Sequence, residues 1–251
     1  MSEIAQPIDP RNGYGADQVR EAERPLLERG EPLMLRAAAA LAEKIAAAVP
    51  PGSGVLLLVG SGDNGGDALH AGAMLAERGF TVRAVLLGSR AHAEGLARAL
   101  AAGASEIPVD RVLEVASDSA AVVDGILGIG ASGALRGAAR EAVEALLPLA
   151  RRPRIADGAA VTNSAESAVL DRPLFVAVDL PSGLDPDTGE TSDGTVLPAD
   201  LTVTFGAVKA GLLRTASAPL VGRLVLVDIG LGPELSGVRP LYARDASPPA
   251  R

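Results

Sequence analysis

The sequence predicts an α/β protein with a mostly parallel sheet and helices on both of its faces. Short apolar runs alternate with longer helix-like segments along most of the chain, which is the pattern of repeated strand–helix–strand units. Loops rich in glycine and polar residues follow four of the apolar runs. With 251 residues, 48% of them hydrophobic, the chain is long enough for one large domain.

The elements are expected in the following order. Two helices, 17–30 and 33–49, open the domain, and Asp17 is the expected N-cap of the first. Three strand–helix pairs follow, at 55–59 with 67–78, 82–87 with 91–102, and 120–127 with 136–150. Further buried strands are expected at 174–180, 201–205 and 223–228. The polar stretch 151–172 is expected to be a mobile surface excursion. We expect one domain over residues 1–240 and a tail or linker at 241–251.

Composition argues against several classes of function. The formal charge is −8, from 31 acidic and 23 basic residues, and aromatic residues make up only 2%, so nucleic-acid binding is not expected. The chain has no Cys and two His, which excludes thiol chemistry and disfavours a zinc site. No apolar stretch approaches the roughly 20 residues of a membrane span, and the N-terminus lacks a signal-peptide pattern. We therefore expect a cytoplasmic protein without a membrane or nucleic-acid partner.

The first loop carries the spacing of a phosphate-binding turn. Gly60, Gly62 and Gly65 form G-x-G-x-x-G after a predicted strand and before a predicted helix, which is a weak signal for a dinucleotide. Two carboxylates in the same turn, Asp63 and Asp67, would repel a pyrophosphate. Asp67 is expected to cap the helix, whereas the charge of Asp63 has no such simple role.

Asp179 is the candidate catalytic base. It follows a buried strand directly and precedes the turn Pro181-Ser182-Gly183, so the carboxyl end of the strand would present it to a ligand. The alternative is a carboxylate that accepts backbone N–H bonds within the turn. The nearby acids, Asp185, Asp187 and Glu190, are expected to be solvated.

A cation site is expected beside this loop. Asp124 lies inside an apolar run, where a buried carboxylate is costly unless it is paired or bound to a metal. A hard cation with oxygen ligands from Asn64, Asp124 and Ser182 would satisfy all three side chains, and both K⁺ and Mg²⁺ remain open. Lys209 is expected either to pair with a substrate phosphate or to reach the surface.

Taken together, these loops resemble one family, the NAD(P)H-hydrate epimerases of the YjeF N-terminal domain family. Its N-N-G-G-D turn is matched by residues 63–67, and its D-A-x-x-G motif and following Gly-rich loop are matched by Asp124 and residues 128–134. Its V-D-I-P-S-G motif is matched by residues 178–183, and a late Lys motif is matched loosely around Lys209 and Gly211. The resemblance covers nearly the whole chain.

The resemblance implies a Rossmann-like three-layer α/β/α sandwich and the epimerisation of the R and S forms of hydrated NADH and NADPH (NADHX and NADPHX). It implies K⁺ as the cofactor, held by Asn64, Asp124 and Ser182, and Asp179 as the catalytic residue. An ADP- or ATP-dependent dehydratase that removes water from the S form is the implied functional partner or fused domain, and a homodimer is possible. The residues expected to contact the substrate are Asp63, Asn64, Gly65, Gly66, Asp67, Gly128, Ile129, Gly130, Ala131, Ser132, Gly133, Ala134 and Asp179.

Two departures and two alternatives stay open. Asp63 stands where the family has Asn, and Ser132 stands in the Gly-rich loop where some relatives have a basic residue. An NADP-dependent oxidoreductase would use Ser89 and Arg90 beside the first loop, although neither tyrosine has a Lys four residues later. A non-catalytic nucleotide-binding module with the same fold is the second alternative.

Overall fold

The chain forms ten strands and seven α-helices in the computed structural model, which describes residues 8–131, 133–152 and 172–244. The strands are β1 (Asn12–Tyr14), β2 (Gly54–Val59), β3 (Thr81–Leu86), β4 (Ser105–Glu106), β5 (Ala121–Gly125), β6 (Leu174–Val178), β7 (Leu201–Phe205), β8 (Val208–Lys209), β9 (Arg223–Val227) and β10 (Tyr242–Ala243). The helices are α1 (Ala16–Glu28), α2 (Leu33–Ala48), α3 (Asp63–Glu77), α4 (Ala93–Ala101), α5 (Val112–Ser117), α6 (Gly137–Ala150) and α7 (Ala218–Val221).

Seven strands form one parallel sheet in the order β4-β3-β2-β5-β6-β7-β9. From β2 the chain builds outward through β3 and β4, then returns to build from β5 in the other direction. The strand order therefore reverses between β2 and β5, and ligands of open α/β sheets bind beyond the carboxyl ends of the strands at such a point. The predicted strands are confirmed to within a few residues at their ends.

Helices cover both faces of the sheet and make a three-layer sandwich. Alternate residues of β2 point to opposite faces, so Leu57 packs with α1 to α4, whereas Leu56 and Leu58 pack with α5 and α6. Because both faces are covered, the central strands are buried along their whole length. The expected α/β class and the Rossmann-like sandwich are confirmed.

A second, three-stranded sheet of order β10-β1-β8 lies beyond the main one. Its central strand, β1, pairs Tyr14 with Lys209 and thereby fixes the backbone of Lys209. Its edge strand, β10, comes from the segment expected to be a tail, so the first residues of that segment pair with the domain. The short strands of this sheet pair across nearly the whole chain, and the local pattern did not predict them.

Two helix starts differ from the expected ones. Helix α3 begins at Asp63 with Gly62 as its N-cap, so Asp67 lies one turn inside the helix and does not cap it. Helix α1 begins after Gly15, so Asp17 is not its N-cap. The surface excursion expected at 151–172 lies almost wholly outside the described residues. Within the described part of the chain, no helix combines the length and apolar character needed to cross a bilayer.

Asp187 supplies the cap that the first turn of α1 lacks. Its Oδ1 accepts a hydrogen bond of 2.7 Å from the backbone N–H of Ala16, 171 residues away in sequence. This contact ties α1 to the loop that follows β6, and it gives Asp187 a structural role that a solvated carboxylate would not have.

We expect Asp187→Ala to lower the free energy of unfolding by about 1 kcal/mol, because the N–H of Ala16 loses its acceptor at a helix start. Urea unfolding followed by circular dichroism measures the change. Asp187→Asn is the matched control, since its amide oxygen can still accept the hydrogen bond. An Ala variant as stable as the wild type would show that the cap contributes nothing.

Candidate functional site

A cavity of about 730 Å³ lies at the point where the strand order reverses. The loops after β2 and β5 approach each other closely there. The N–H of Gly60 donates a 3.0 Å hydrogen bond to the carbonyl of Gly125, and a Cβ at Gly60 would lie 1.8 Å from the carbonyl oxygen of Ile126. Only glycine fits at that position. The volume lies within the usual range for small-molecule sites.

The cavity brings together residues from the segments that follow β2, β5, β6 and β7. Its polar lining contains four carboxyl groups and two basic side chains, and the exposed Arg136 is one of these two. The predicted site residues among its lining are Asp63, Asn64, Asp67, Gly128, Ile129, Gly130, Ala131, Ala134 and Asp179.

Asp179 lies in a tight turn immediately after β6. Its φ is +66°, and it is the one non-glycine residue with positive φ in the described ranges. The N–H of Leu180 donates a 2.8 Å hydrogen bond to the carbonyl of Val178, which makes Asp179 the centre of a γ-turn of the strained kind. Backbone strain of this type costs about 1–3 kcal/mol and concentrates at functional sites.

The Asp179 carboxylate is buried and paired with Lys209. Asp179 is 5% exposed and Lys209 only 1%, and the Lys209 ammonium donates directly to Oδ1 of Asp179. Oδ1 also accepts hydrogen bonds from Thr204 Oγ1 at 3.0 Å and from the N–H of Phe205 at 3.2 Å. These contacts fix one oxygen of the carboxylate in place. Lys209 is therefore neither at the surface nor free for a phosphate.

Asp67 and Glu23 differ from Asp179 because neither carboxyl has a hydrogen-bond or ion-pair partner among the described residues. Burial raises the pKa of Asp67 well above its ordinary value, and the carboxyls of Asp179, Asp63 and Glu23 raise it further, against the opposing effect of Lys209. Burial also raises the pKa of Glu23, which Lys209 opposes. The cavity thus contains carboxyl groups in unlike surroundings.

The position of Asp63 accounts for its charge without a ligand. Asp63 is the first residue of α3 and is exposed. A carboxylate in the first turn interacts favourably with the unpaired N–H groups and the positive end of the helix dipole. The charge that the sequence left unexplained therefore stabilises the helix start.

Gly65 and Gly66 are buried in the same turn but do not line the cavity. A Cβ at Gly65 would lie 2.2 Å from the carbonyl oxygen of Gly60, and one at Gly66 would lie 2.9 Å from the side chain of Met34. Both glycines therefore permit close packing of the loop. Gly133 lines a smaller neighbouring pocket, and Ser132 lies outside the described residues.

The three expected cation ligands lie beside the cavity in one hydrogen-bonded cluster. Oδ1 of Asp124 accepts from Ser182 Oγ at 2.6 Å, and Oδ2 accepts from the N–H of Ser182 at 2.9 Å. Ser182 Oγ accepts from the N–H of Leu127 at 2.9 Å, and the amide of Asn64 donates to the carbonyl of Leu127 at 3.0 Å. The same amide donates to the carbonyl of Val178 at 2.5 Å.

The cluster fits a monovalent cation better than a divalent one. Burial raises the pKa of Asp124, and the hydrogen bonds from Ser182 and Ile126 only partly oppose that effect. No basic side chain pairs with Asp124 in the described part of the chain, and no group of three metal-binding acidic or His residues occurs there. An oxygen-only donor set with a single carboxylate suits a hard ion of low charge.

Two features of the site were not predicted. The pairing of Lys209 with Asp179 depends on a turn at Gly206, and the only local signal was a Lys between apolar residues in Ala-Val-Lys-Ala-Gly. Glu23 reaches the cavity from α1, and it was not among the expected site residues. A helix that covers the carboxyl edge of the sheet could not be inferred from periodicity alone.

Comparisons with known proteins agree with this architecture. The model of the family described as "YjeF-related protein N-terminus" matches residues 30–211. A Microbacterium testaceum protein named NAD(P)H-hydrate epimerase is 51% identical over 231 residues, which cover 90% of this chain and 82% of that relative. A protein of the same name from Clavibacter michiganensis subsp. michiganensis is 46% identical over 245 residues, which cover 95% and 98% of the two chains.

A longer relative and a solved structure extend the comparison. A protein of Mycobacterium tuberculosis named bifunctional NAD(P)H-hydrate repair enzyme Nnr is 38% identical over 231 residues, which cover 88% of this chain but 42% of that relative. The crystal structure of the yeast protein ynu0 superposes with a TM-score of 0.67 at 18% identity, covers 86% of this chain and 87% of its own, and shows the same fold. The family match and these relatives establish that the chain belongs to the YjeF-related N-terminal family.

Proposed function

We propose that this chain is an epimerase that interconverts the R and S forms of hydrated NADH and NADPH, NADHX and NADPHX. The observation that carries the proposal is the buried Asp179–Lys209 pair on a cavity at the reversal of the strand order. The relatives named NAD(P)H-hydrate epimerase, similar over nearly the whole chain, support the same activity.

The reaction exchanges a hydroxyl between the two faces of one ring carbon. The carbon–oxygen bond breaks and the oxygen keeps the electron pair, while the lone pair of the adjacent ring nitrogen forms a carbon–nitrogen double bond. Water then adds to the opposite face, and the electron pair returns to nitrogen. Asp179 is the group that takes the proton released by the entering water.

The acidic lining of the cavity suits this chemistry. The iminium intermediate carries a positive charge, and the cavity has four carboxyl groups against Lys209 and Arg136. Among these groups, the Asp179 carboxylate is held in place by hydrogen bonds from Thr204 and Phe205, and a fixed negative group stabilises a developing cation without reorganising.

The proposal assigns K⁺ to the cluster of Asn64, Asp124 and Ser182. When bound there, K⁺ would supply positive charge that offsets the buried carboxylate. The side chains themselves fix the segments after β2, β5 and β6 to one another, which holds the cavity wall in place.

We also propose a dehydratase that consumes the S form as the functional partner. The similarity to a bifunctional repair enzyme supports this partner, since this chain matches less than half of that longer protein. A homodimer and a cytoplasmic location stay predictions.

The direct test supplies the purified protein with the R epimer of hydrated NADH or NADPH. Conversion to the S epimer is followed by chromatography, and an S-specific dehydratase then removes the product as it forms. We expect both the chromatographic and the coupled assay to report turnover. A folded protein that binds the hydrate but never changes its configuration would indicate a non-catalytic module.

K⁺ is expected to stabilise the fold, because an ion that binds only the folded state adds to its free energy of unfolding. Thermal melting in KCl, NaCl and choline chloride at equal ionic strength measures the effect, with the highest melting temperature expected in KCl. The Asp124→Asn variant should have the same melting temperature in all three salts. Asp118→Asn, an exposed substitution ahead of β5 at the opposite edge of the sheet, is the matched control and should keep it. Equal melting in all three salts would remove the K⁺ site from the proposal.

The oxidoreductase alternative lacks a supporting observation. Neither Ser89 nor Arg90 lies among the residues that line the cavity. The family membership also favours the epimerase. We therefore advance no second function.

A further inference from the structure

The cavity contains a second buried carboxyl for which the reaction described so far has no use. Asp67 is 6% exposed, points from the second turn of α3 and lines the cavity beside Asp179. In the described part of the chain its oxygens take part in no hydrogen bond or ion pair. A buried polar group without a protein partner is costly, so its orientation towards the cavity indicates that a ligand supplies the missing partner.

The two carboxyl groups have opposite surroundings. Oδ1 of Asp179 accepts hydrogen bonds from the Lys209 ammonium, the Thr204 hydroxyl and the N–H of Phe205. Asp67 faces the carboxyl groups of Asp179, Asp63 and Glu23, with Lys209 as the opposing charge. Like charges and burial both favour a neutral carboxylic acid at Asp67. A buried carboxyl without a partner, beside a second carboxyl that an ammonium holds, is the arrangement by which one site supplies both an acid and a base.

The reaction requires such a pair. Hydroxide is a poor leaving group, and departure as water needs a proton on the leaving oxygen. Addition of water to the opposite face then releases a proton to a base. Asp67 and Asp179 reach the same cavity from different elements, α3 and the end of β6, so the two carboxyls are held independently of each other.

We propose that Asp67 is the second catalytic carboxyl of this site and donates a proton to the leaving hydroxyl, opposite Asp179, which accepts one from the entering water. The proposal rests on the proposed epimerase function. The Asp67 proton moves to the hydroxyl oxygen, the carbon–oxygen bond breaks and water leaves. A second water then forms the new carbon–oxygen bond and gives its proton to Asp179. One proton has passed from Asp67 to Asp179, and exchange with solvent restores both groups.

The test compares Asp67→Asn, Asp67→Glu and the matched surface control Asp118→Asn, all assayed for R-to-S conversion over a range of pH. Asn has the size of Asp but has no proton to transfer. We expect Asp67→Asn to lower kcat by about 10²- to 10⁴-fold with little change in KM. The wild-type rate should fall as pH rises through the pKa of Asp67, and Asp67→Asn should lose this basic limb of the profile. Asp67→Glu should keep the limb, and Asp118→Asn should match the wild type.

Structural damage is separated from a catalytic effect by melting temperature. Asp67→Asn removes a carboxyl that resists ionisation in the fold, so its melting temperature at neutral pH should be no lower than that of the wild type. An Asp67→Asn variant with wild-type kcat, or one with a lower kcat and an unchanged basic limb, would overturn the role of Asp67. A wild-type protein that converts neither epimer would instead overturn the proposed function.

Discussion

Asp179→Asn is expected to lower kcat for epimerisation by about 10²- to 10⁴-fold, because the amide cannot accept the proton of the entering water. Asn is preferred to Ala for this test. Asp179 has a φ of +66°, and Asn adopts this region far more readily than Ala does. The γ-turn should therefore survive the substitution, and the loss can be assigned to the carboxylate rather than to the backbone.

The assay must allow for the effect on Lys209, which loses its ion-pair partner in the same variant. Circular dichroism identifies a temperature at which both proteins are folded, and R-to-S conversion is then measured there by chromatography. Asp118→Asn, which removes an exposed carboxylate at the far edge of the sheet, should convert the hydrate at the wild-type rate. Normal turnover by a folded Asp179→Asn protein would exclude Asp179 as the base.

The main sheet was predictable because its signals are local. Each central strand is a run of apolar residues that both helical layers cover, so the strands stand out from the polar helices and loops. The start of α3 was not predictable in the same way. Gly65 and Gly66 disfavour a helix, but they are required there because Gly60 and Met34 pack against them. Because of this packing, the helix starts at Asp63 rather than at the expected position. Asp67 therefore lies inside the helix and lines the cavity instead of capping the helix.

The candidate site was predictable as far as strand ends define it. Asp124 lies near the end of one predicted strand and Asp179 and Ser182 follow another, and parallel strands bring such positions to one edge. Side-chain contacts between segments far apart in the sequence could not be predicted from the positions of the strand ends. Asp187 caps a helix 171 residues away, and Lys209 reaches Asp179 only because β1 and Gly206 set the path of β8. Nothing in the local sequence of either residue specifies its partner.

Lys209→Met is expected to lower the free energy of unfolding by about 3–5 kcal/mol, since it leaves Asp179 as an uncompensated buried charge. Met fills a similar volume without charge, so the cost comes from the carboxylate rather than from a void. Urea unfolding at neutral pH measures the loss. The same variant should lose most of its epimerase activity, because the Asp179 carboxylate then loses the ammonium that holds its Oδ1 in place.

A double-mutant cycle separates the ion pair from the packing of either side chain. In Lys209→Met with Asp179→Asn neither charge is left, so the double variant should be more stable than Lys209→Met alone, although it gains no activity. Stability recovered in the double variant would show that the cost of Lys209→Met comes from the unpaired Asp179 carboxylate rather than from lost packing. Strictly additive losses would mean that Lys209 and Asp179 do not interact, and the contact between them could then not be the basis of the site.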